Sequence, residues 1–320
     1  MSGDGKSGSR EVGQPGGTSF DSPSPHLPVS VVGRPPLRFG VVTGQAQLSW
    51  DDLLAQWRLA EELGFDSAWL FDHVTALYGD PDGPCLEAST LLAALARETS
   101  RIRIGVLVYG NTHRHPSLLA KELVTLDHVS GGRLEFGIGT GWNEREHDAY
   151  GWPFPSAGDR VAMLDESLAV IRSLFSERRT SFDGRFYRLH DAPFAPKPVQ
   201  ARIPITVGGK RPKLLQVVAR HADRWDSGGT PEEIAERGVQ LDECCREIGR
   251  DPAGIARSVS LGADRLEDPD GFAALVRRYR AVGVSQFLFD FPLGETGQAA
   301  AARVAREVIP AVRAEATDED

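Results

Sequence analysis

Three groups of residues in this chain have types and spacings that could do chemistry. The first is Asp72-His73. An imidazole titrates near neutral pH and suits proton transfer under working conditions. On an extended strand two neighbours point to opposite sides. The acid can therefore tie down a loop while His73 serves as a proton donor or as a wall of the pocket. His73 and Asp72 are the candidate catalytic pair. The second group is Gly137-Ile138-Gly139-Thr140-Gly141-Trp142. Each glycine weakens a strand interior, so three in alternation suggest that something approaches the backbone closely. Trp142, Asn143, Glu144 and Tyr150 follow, and they are too polar and aromatic for a mere connector. The third group, Gly208-Gly209-Lys210, opens a helix. Free helix amides and a lysine make an anion site there, and phosphate is the better match.

Other patterns carry less. His113-x-His115 has the spacing of a metal pair, but Arg114 separates the two, Pro116 follows, and no HExxH accompanies them. No metal site is expected. Glu146-His147 reads as a solvated turn at the start of a helix. There is no Gly-x-Ser-x-Gly elbow.

These groups need elements to hold them. A strand at Leu37–Gly44 leads to a helix that Ser49 caps, with Leu53, Trp57 and Ala60 at helical spacing. Further strands fall at Ser67–Phe71, at Ile102–Tyr109 and through Leu134, Phe136 and Ile138. Others follow at Ile203–Val207, Arg224–Ser227, Ile255–Leu261 and Gln286–Phe291, with a helical pattern after each. Gly131 stands where a helix should end. One interruption breaks the alternation: Thr180–Tyr187 carries an Asp-Gly hairpin signature, and a proline-rich run follows it. Eight strand–helix pairs give a single (β/α)8 TIM barrel with an insertion after the fourth helix. A doubly wound sheet would also alternate, but no GxGxxG follows the first strand. A barrel gathers its chemistry at the carboxyl ends of its strands. That brings Thr43, Asp72, His73, Tyr109, Asn111, Trp142, Gly208, Lys210, Trp225 and Asp226 to one mouth.

Composition sets the limits. The chain has 320 residues, 41% of them hydrophobic, and a formal charge of -9. It is long enough for a large core, and its charge argues against nucleic acid or an anionic membrane as partner. Three cysteines make neither a disulfide framework nor a CxxC pattern, which suits a reducing cytoplasm. Residues 1–36 are rich in Gly, Ser and Pro and are expected to be a disordered tail. The barrel is expected over 37–314, with a frayed acidic end over 315–320.

The same residues carry a resemblance. Asp72-His73, His115-Pro116, Leu119-Ala120-Lys121, Thr125-Leu126-Asp127 and Ser130-Gly131-Gly132-Arg133 resemble the luciferase-like monooxygenase family, as do Gly137 through Trp142 and Gly208-Gly209. The likeness is nearest the branch that uses the deazaflavin coenzyme F420. It runs from about Phe39 to the C-terminus and is most specific from His113 to Tyr150. The resemblance implies a TIM barrel with its insertion at the Asp-Gly hairpin and a flavin or deazaflavin across the mouth. It also implies a non-proline cis peptide in the third strand, at Leu107-Val108 or its neighbour. Cofactor-binding positions on this basis are Thr43, Val108, Tyr109, Asn111, Gly139, Gly141, Trp142, Tyr150, Gly208, Gly209 and Lys210. One departure matters: the family's glucose-6-phosphate dehydrogenases carry a glutamate directly after Gly-Thr-Gly, where this chain has Trp142. That argues against this substrate. The expected activity is hydride transfer between F420 and a small organic substrate, with His73 as the proton source. The alternative is an FMN-dependent monooxygenase that uses oxygen and a separate flavin reductase. The family leaves room for a homodimer.

Overall fold

The structure is a computed structural model in which residues 35–318 are described. The expected tail therefore lies outside the described residues, apart from its last two. The barrel strands are β1 (Arg38–Val42), β2 (Ser67–Leu70), β3 (Arg103–Gly110) and β4 (Leu134–Gly139). After an antiparallel pair, β5 (Arg179–Asp183) and β6 (Arg188–Pro193), come β7 (Ile205–Gly208), β8 (Arg224–Asp226), β9 (Ala256–Leu261) and β10 (Val284–Asp290). The eight wall strands are all parallel. They run in chain order around the wall, and the barrel closes where β1 pairs with β10. The chain is a (β/α)8 barrel, as the alternation predicts.

The helices cover the wall. They are α1 (Trp50–Glu62), α2 (Ala88–Glu98), α3 (Pro116–Ser130), α4 (Glu144–Tyr150), α5 (Ala157–Ser176), α6 (Pro212–His221), α7 (Pro231–Glu247) and α8 (Pro269–Ala281). Then α9 (Glu295–Arg303) runs through a π turn into α10 (Ile309–Asp318). Among the described residues no helix is long and apolar enough to cross a membrane. Local signals account for the boundaries. Ser49 and Asp52 form a reciprocal capping box on α1, an arrangement that stabilises a helix start by about 1 kcal/mol. Gly131 ends α3 with φ 67°, the left-handed conformation that glycine adopts without penalty.

Two expectations change. The final helix continues through the acidic end: Glu315 pairs with Arg277 at 2.8 Å and Ala316 is buried, so residues 315 and 316 belong to the fold. In the insertion, Asp183 and Arg188 face each other across β5 and β6, and a four-residue loop replaces a tight Asp-Gly turn. Glu166 of α5 holds that loop by accepting from the amides of Arg185, Phe186 and Tyr187.

Alternation decides what fills the barrel. Trp69 points inward over Gly105, where a Cβ would lie 2.6 Å from its ring. The inward residues below it are charged and matched: Glu135 takes Arg224 at 2.7 Å and also pairs with Arg103. Phe39, on the outer face of β1, packs against Phe272 of α8 and stacks on Phe287 of β10. The family-like residues of α3 and the turn after it are structural. Asp127 accepts from Val199 and Gln200 of the returning insertion. Arg133 donates to carbonyls at the end of α2, including Ala96 at 2.6 Å.

Candidate active site

Asp72 and His73 leave β2 in opposite directions, as neighbours on an extended chain should. Asp72 is buried. It accepts from the Gly110 amide at 2.9 Å, from His113 Nδ1 at 3.1 Å and from both terminal nitrogens of Arg114. Burial alone would raise the Asp72 pKa, but His113 and the Arg114 guanidinium outweigh it and hold the carboxyl down at about 2. The carboxylate is fully engaged in fastening β2 to the loop after β3. Of the expected catalytic pair, only His73 turns toward the mouth.

His73 has a different acid. Its Nδ1 lies 2.8 Å from Glu146 Oε2. Burial opposes the charge on Glu146, but His73 and the Val74 amide pull its pKa below the usual carboxylate range. An ionised carboxylate can only accept, so Nδ1 carries the proton and Nε2 is the nitrogen that Glu146 does not hold. The other oxygen of Glu146 accepts from the amides of Val74 at 2.6 Å and Thr75 at 3.1 Å. The acid thus fixes both the histidine and the loop that carries it.

This overturns the reading of Glu146-His147 as a solvated turn, because their exposures are 1% and 0%. The short helix α4 lies across the end of the barrel and turns both side chains inward. Asn143 caps it by accepting from the Glu146 amide. His147 bridges the Asn143 carbonyl and the Thr112 hydroxyl, both at 2.7 Å.

The glycine stripe has a cause that the sequence conceals. The Leu107–Val108 peptide is cis, at the position that the family resemblance implies. Between Val106 and Tyr109 the register of β3 against β4 shifts. The shift brings Val108 into the barrel. A Cβ on Gly139 would lie 2.8 Å from Val108, and one on Gly208 would lie 3.2 Å from it. Gly141, with φ 78°, faces the Thr112 hydroxyl. What comes close to Gly139 and Gly141 is therefore the chain's own third strand and the loop after it.

Gly209 has φ 142°, and a Cβ there would run into Leu214 of α6. Its amide donates to the Asp226 carbonyl at 3.0 Å, and its carbonyl accepts from Trp225 Nε1 at 2.7 Å. The turn is rigid. No side chain caps α6, and Lys210 is exposed beside it, an arrangement that favours an anion. On the inner face of β8 the buried Asp226 is held by Ser258 at 2.8 Å and Ser260 at 3.0 Å, and burial raises its pKa.

The remaining sequence-derived positions divide. Trp142 stands at the mouth, 67% exposed, with its ring 5.4 Å from that of His73. Tyr150 is exposed and stacks on Trp152. Thr43, Tyr109 and Asn111 do not line the mouth. Thr43 shares the outward face of Phe39 and Val41, and its hydroxyl accepts from Trp57 of α1 at 2.6 Å. Tyr109 is turned outward by the shift in β3 and meets Ser89 of α2 at 3.2 Å, fully buried. Asn111 is buried under the insertion and donates to the Tyr187 hydroxyl at 3.3 Å. His113 and His115 separate: one binds Asp72, and the other caps α3 through Ser117. The residue that sequence reasoning missed is Glu146. A buried glutamate on a seven-residue helix has no periodicity to announce it, and its partner lies 73 positions earlier.

Comparison with known proteins adds the family. The model of the luciferase-like monooxygenases matches residues 36–317. An uncharacterised protein of Mycobacterium bovis is 33% identical over 260 residues, covering 76% of this chain and 88% of that protein. An F420-dependent glucose-6-phosphate dehydrogenase of Microbacterium testaceum is 34% identical over 219 residues, covering 67% of this chain and 64% of its own length. Among solved structures, an F420-dependent secondary alcohol dehydrogenase in complex with an F420–acetone adduct superposes with a TM-score of 0.78 at 20% identity. The superposition covers 87% of this chain and 99% of that one. At that identity the likeness is one of fold.

Proposed function

This chain belongs to the luciferase-like monooxygenase family, and from that premise we propose that it is an F420-dependent oxidoreductase acting on a small organic substrate. The observation that carries the reading is His73 held at the mouth by the buried carboxylate of Glu146. The relative from Microbacterium testaceum supports F420 as the cofactor.

The residues present suit a flat ring with a phosphate-bearing tail. Around Val108 the inward positions are Gly137, Gly139 and Gly208, so Val108 alone rises from the floor. Lys210 and the uncapped start of α6 suit the phosphate. Bound F420 would supply two-electron hydride chemistry, which the protein only positions. With the Nδ1 proton held by Glu146, Nε2 would take up the proton that leaves the substrate when it is oxidised and would return it when the reaction runs the other way. Trp142 stands edge-on beside His73 at 5.4 Å. Asp72 acts one step back, keeping the loops after β2 and β3 together. Cys85, Cys244 and Cys245 are free thiols, in keeping with a reducing, cytoplasmic setting.

Fluorescence titration tests the reading. F420 should bind with micromolar or tighter affinity and FMN at least tenfold more weakly. A protein that instead holds FMN and consumes oxygen when a flavin reductase is added overturns it.

A further inference from the structure

The buried acids of this barrel are answered mostly by groups that can only donate. Asp72 has Arg114 and the Gly110 amide, Glu135 has Arg224 and Arg103, and Glu146 has the amides of Val74 and Thr75. Such partners call for a carboxylate. Asp226 differs, because its two oxygens meet two hydroxyls, Ser258 at 2.8 Å and Ser260 at 3.0 Å. Building on the F420 reading, we propose that Asp226 keeps its proton at neutral pH and is a positioning residue that acts through Ser260. The proton decides whether Ser260 offers the cofactor ring a hydrogen-bond donor, and so how tightly the reduced ring is held.

Three observations carry this. The first is burial without a cation. Asp226 is 8% exposed, and among the described residues no lysine, arginine or histidine pairs with it. Arg224, two positions earlier on the same face, gives Nη1 to Glu135 at 2.7 Å and to Thr206 at 3.1 Å. The charges nearest Asp226 inside the barrel, Arg224, Glu135 and Arg103, thus answer one another. The neighbouring strands present Thr206 and Gly208 of β7, the two serines of β9, and Gln286 and Leu288 of β10, whose Asp290 comes only at its exposed end. A buried carboxyl so placed favours its neutral form. The second is the choice that a hydroxyl allows. It accepts as well as donates, so the serines satisfy the acid as fully as the carboxylate. Ser258 is buried, whereas Ser260 is half-buried at the open end of β9. Ionised, Asp226 draws the Ser260 proton inward and leaves only lone pairs for the mouth. Protonated, it gives Oδ2–H to Ser260, whose own O–H is then free to donate outward. The third is place. Asp226 stands in register with Gly208, whose added Cβ would meet Val108, so the acid adjoins the glycine floor that suits a flat ring. Reduction adds electron density to that ring, which a donor stabilises and a carboxylate opposes.

The test takes the protein with and without cofactor. Titration with oxidised and with reduced F420 gives the ratio of the two affinities at each pH, and the cofactor's own titration is common to every variant compared. In the unaltered protein the preference for reduced F420 should fall about tenfold as Asp226 ionises with rising pH. Asp226→Asn places an amide donor toward Ser260 and cannot ionise, so it should keep the low-pH preference throughout. Ser260→Ala should weaken that preference and flatten its pH course. Without cofactor, the infrared carbonyl band of a protonated carboxyl should be present at neutral pH and absent from Asp226→Asn. Because the fold favours the protonated form, its contribution to stability is lost as pH rises through the folded pKa. Asp226→Asn should therefore gain on the unaltered protein in urea unfolding as pH rises. The absence of that band overturns the proposal. So does an affinity ratio with the same pH course in Asp226→Asn, even if the unfolding midpoint moves, since a merely structural acid would behave that way. If neither form of F420 binds, the cofactor reading falls. The infrared band then still decides the proton, and the same ratio measured with oxidised and reduced FMN decides its consequence.

Discussion

Two histidine–carboxylate pairs stand side by side at this mouth, His73 with Glu146 and His113 with Asp72. Their contacts are similar in length, 2.8 and 3.1 Å, and in both the acid is buried. They differ in what surrounds them. Asp72 also holds the Arg114 guanidinium, so its charge is matched within the fold. The His113 ring is packed 5.3 Å from His147 and 5.2 Å from Trp152. Glu146 binds two backbone amides instead of an arginine, and its histidine, flanked edge-on by Phe71 and by the exposed Trp142, keeps more of its side chain open, 12% against 5% for His113. Whether such a pair is a fastening or a working group depends on how the acid's charge is matched and on whether the imidazole has a free side. The pairing alone does not say.

Removing the fastening should give the largest effect. Asp72→Asn takes from Arg114 the nearest of its carboxylates and leaves Glu122 and Glu87 at 3.6 and 3.7 Å, and breaking a buried pair costs about 3–5 kcal/mol. Urea unfolding measures it, and a loss under 1 kcal/mol would show that the two pairs are equivalent. The same acid sets a pH signature. Its pKa is depressed from 3.8 to about 2, so its contribution is complete above about pH 4 and is lost as pH falls through about 2. About 2 kcal/mol should disappear over that window and not in the Asn variant.

Next comes the working histidine. His73→Ala should lower turnover about a hundredfold while the unfolding midpoint barely moves. A large loss of stability would make His73 a second fastening, and surviving turnover would make it pocket wall alone. Glu146→Gln should act through His73. The amide oxygen still accepts from one partner but no longer fixes the protonated Nδ1. The expected result is about a tenfold fall in kcat, ~1.4 kcal/mol, with KM and cofactor affinity unchanged. A rise in KM without a fall in kcat would mean that Glu146 only shapes the loop.

The smallest effect concerns the opposite side of the mouth. Gly208 has ordinary backbone geometry, and an added Cβ would lie 3.2 Å from Val108. Gly208→Ala should weaken F420 binding about fivefold, ~1 kcal/mol, without affecting stability, and unchanged affinity in a fluorescence titration would move the ring elsewhere. Gly209 is the poorer probe. Its positive φ and its contact with Leu214 would disturb the turn whatever binds there.

The sequence made the barrel legible because eight alternations are long-range in number but local in form. Each strand and each helix announces itself through its own spacing, and Gly131 through its own conformation. His73 was legible for the same reason, as a titratable residue at a strand end. Tyr109 was not. Counting by twos from the inward Gly105 puts Tyr109 inside the barrel, and the shift between Val106 and Tyr109 reverses that parity. Thr43 could have been set aside by the same counting, since it falls on the face of Phe39 and Val41. The glycine stripe was seen, but its partner was misjudged, because nothing local reveals that β3 enters the barrel there. Glu146 required a contact between two loops, which no spacing within either encodes.

The closure of the wall bears on how this chain comes to exist. The first strand, Arg38–Val42, finds one of its two partners in Gln286–Asp290, close to the far end of the described residues. During synthesis, one edge of that strand stays unpaired until almost the whole chain has emerged, and open strand edges invite pairing with other molecules. A contact this distant in sequence is slow to form. A chain that terminates before β10 would present a seven-strand wall with two bare edges, a natural substrate for chaperones and proteases.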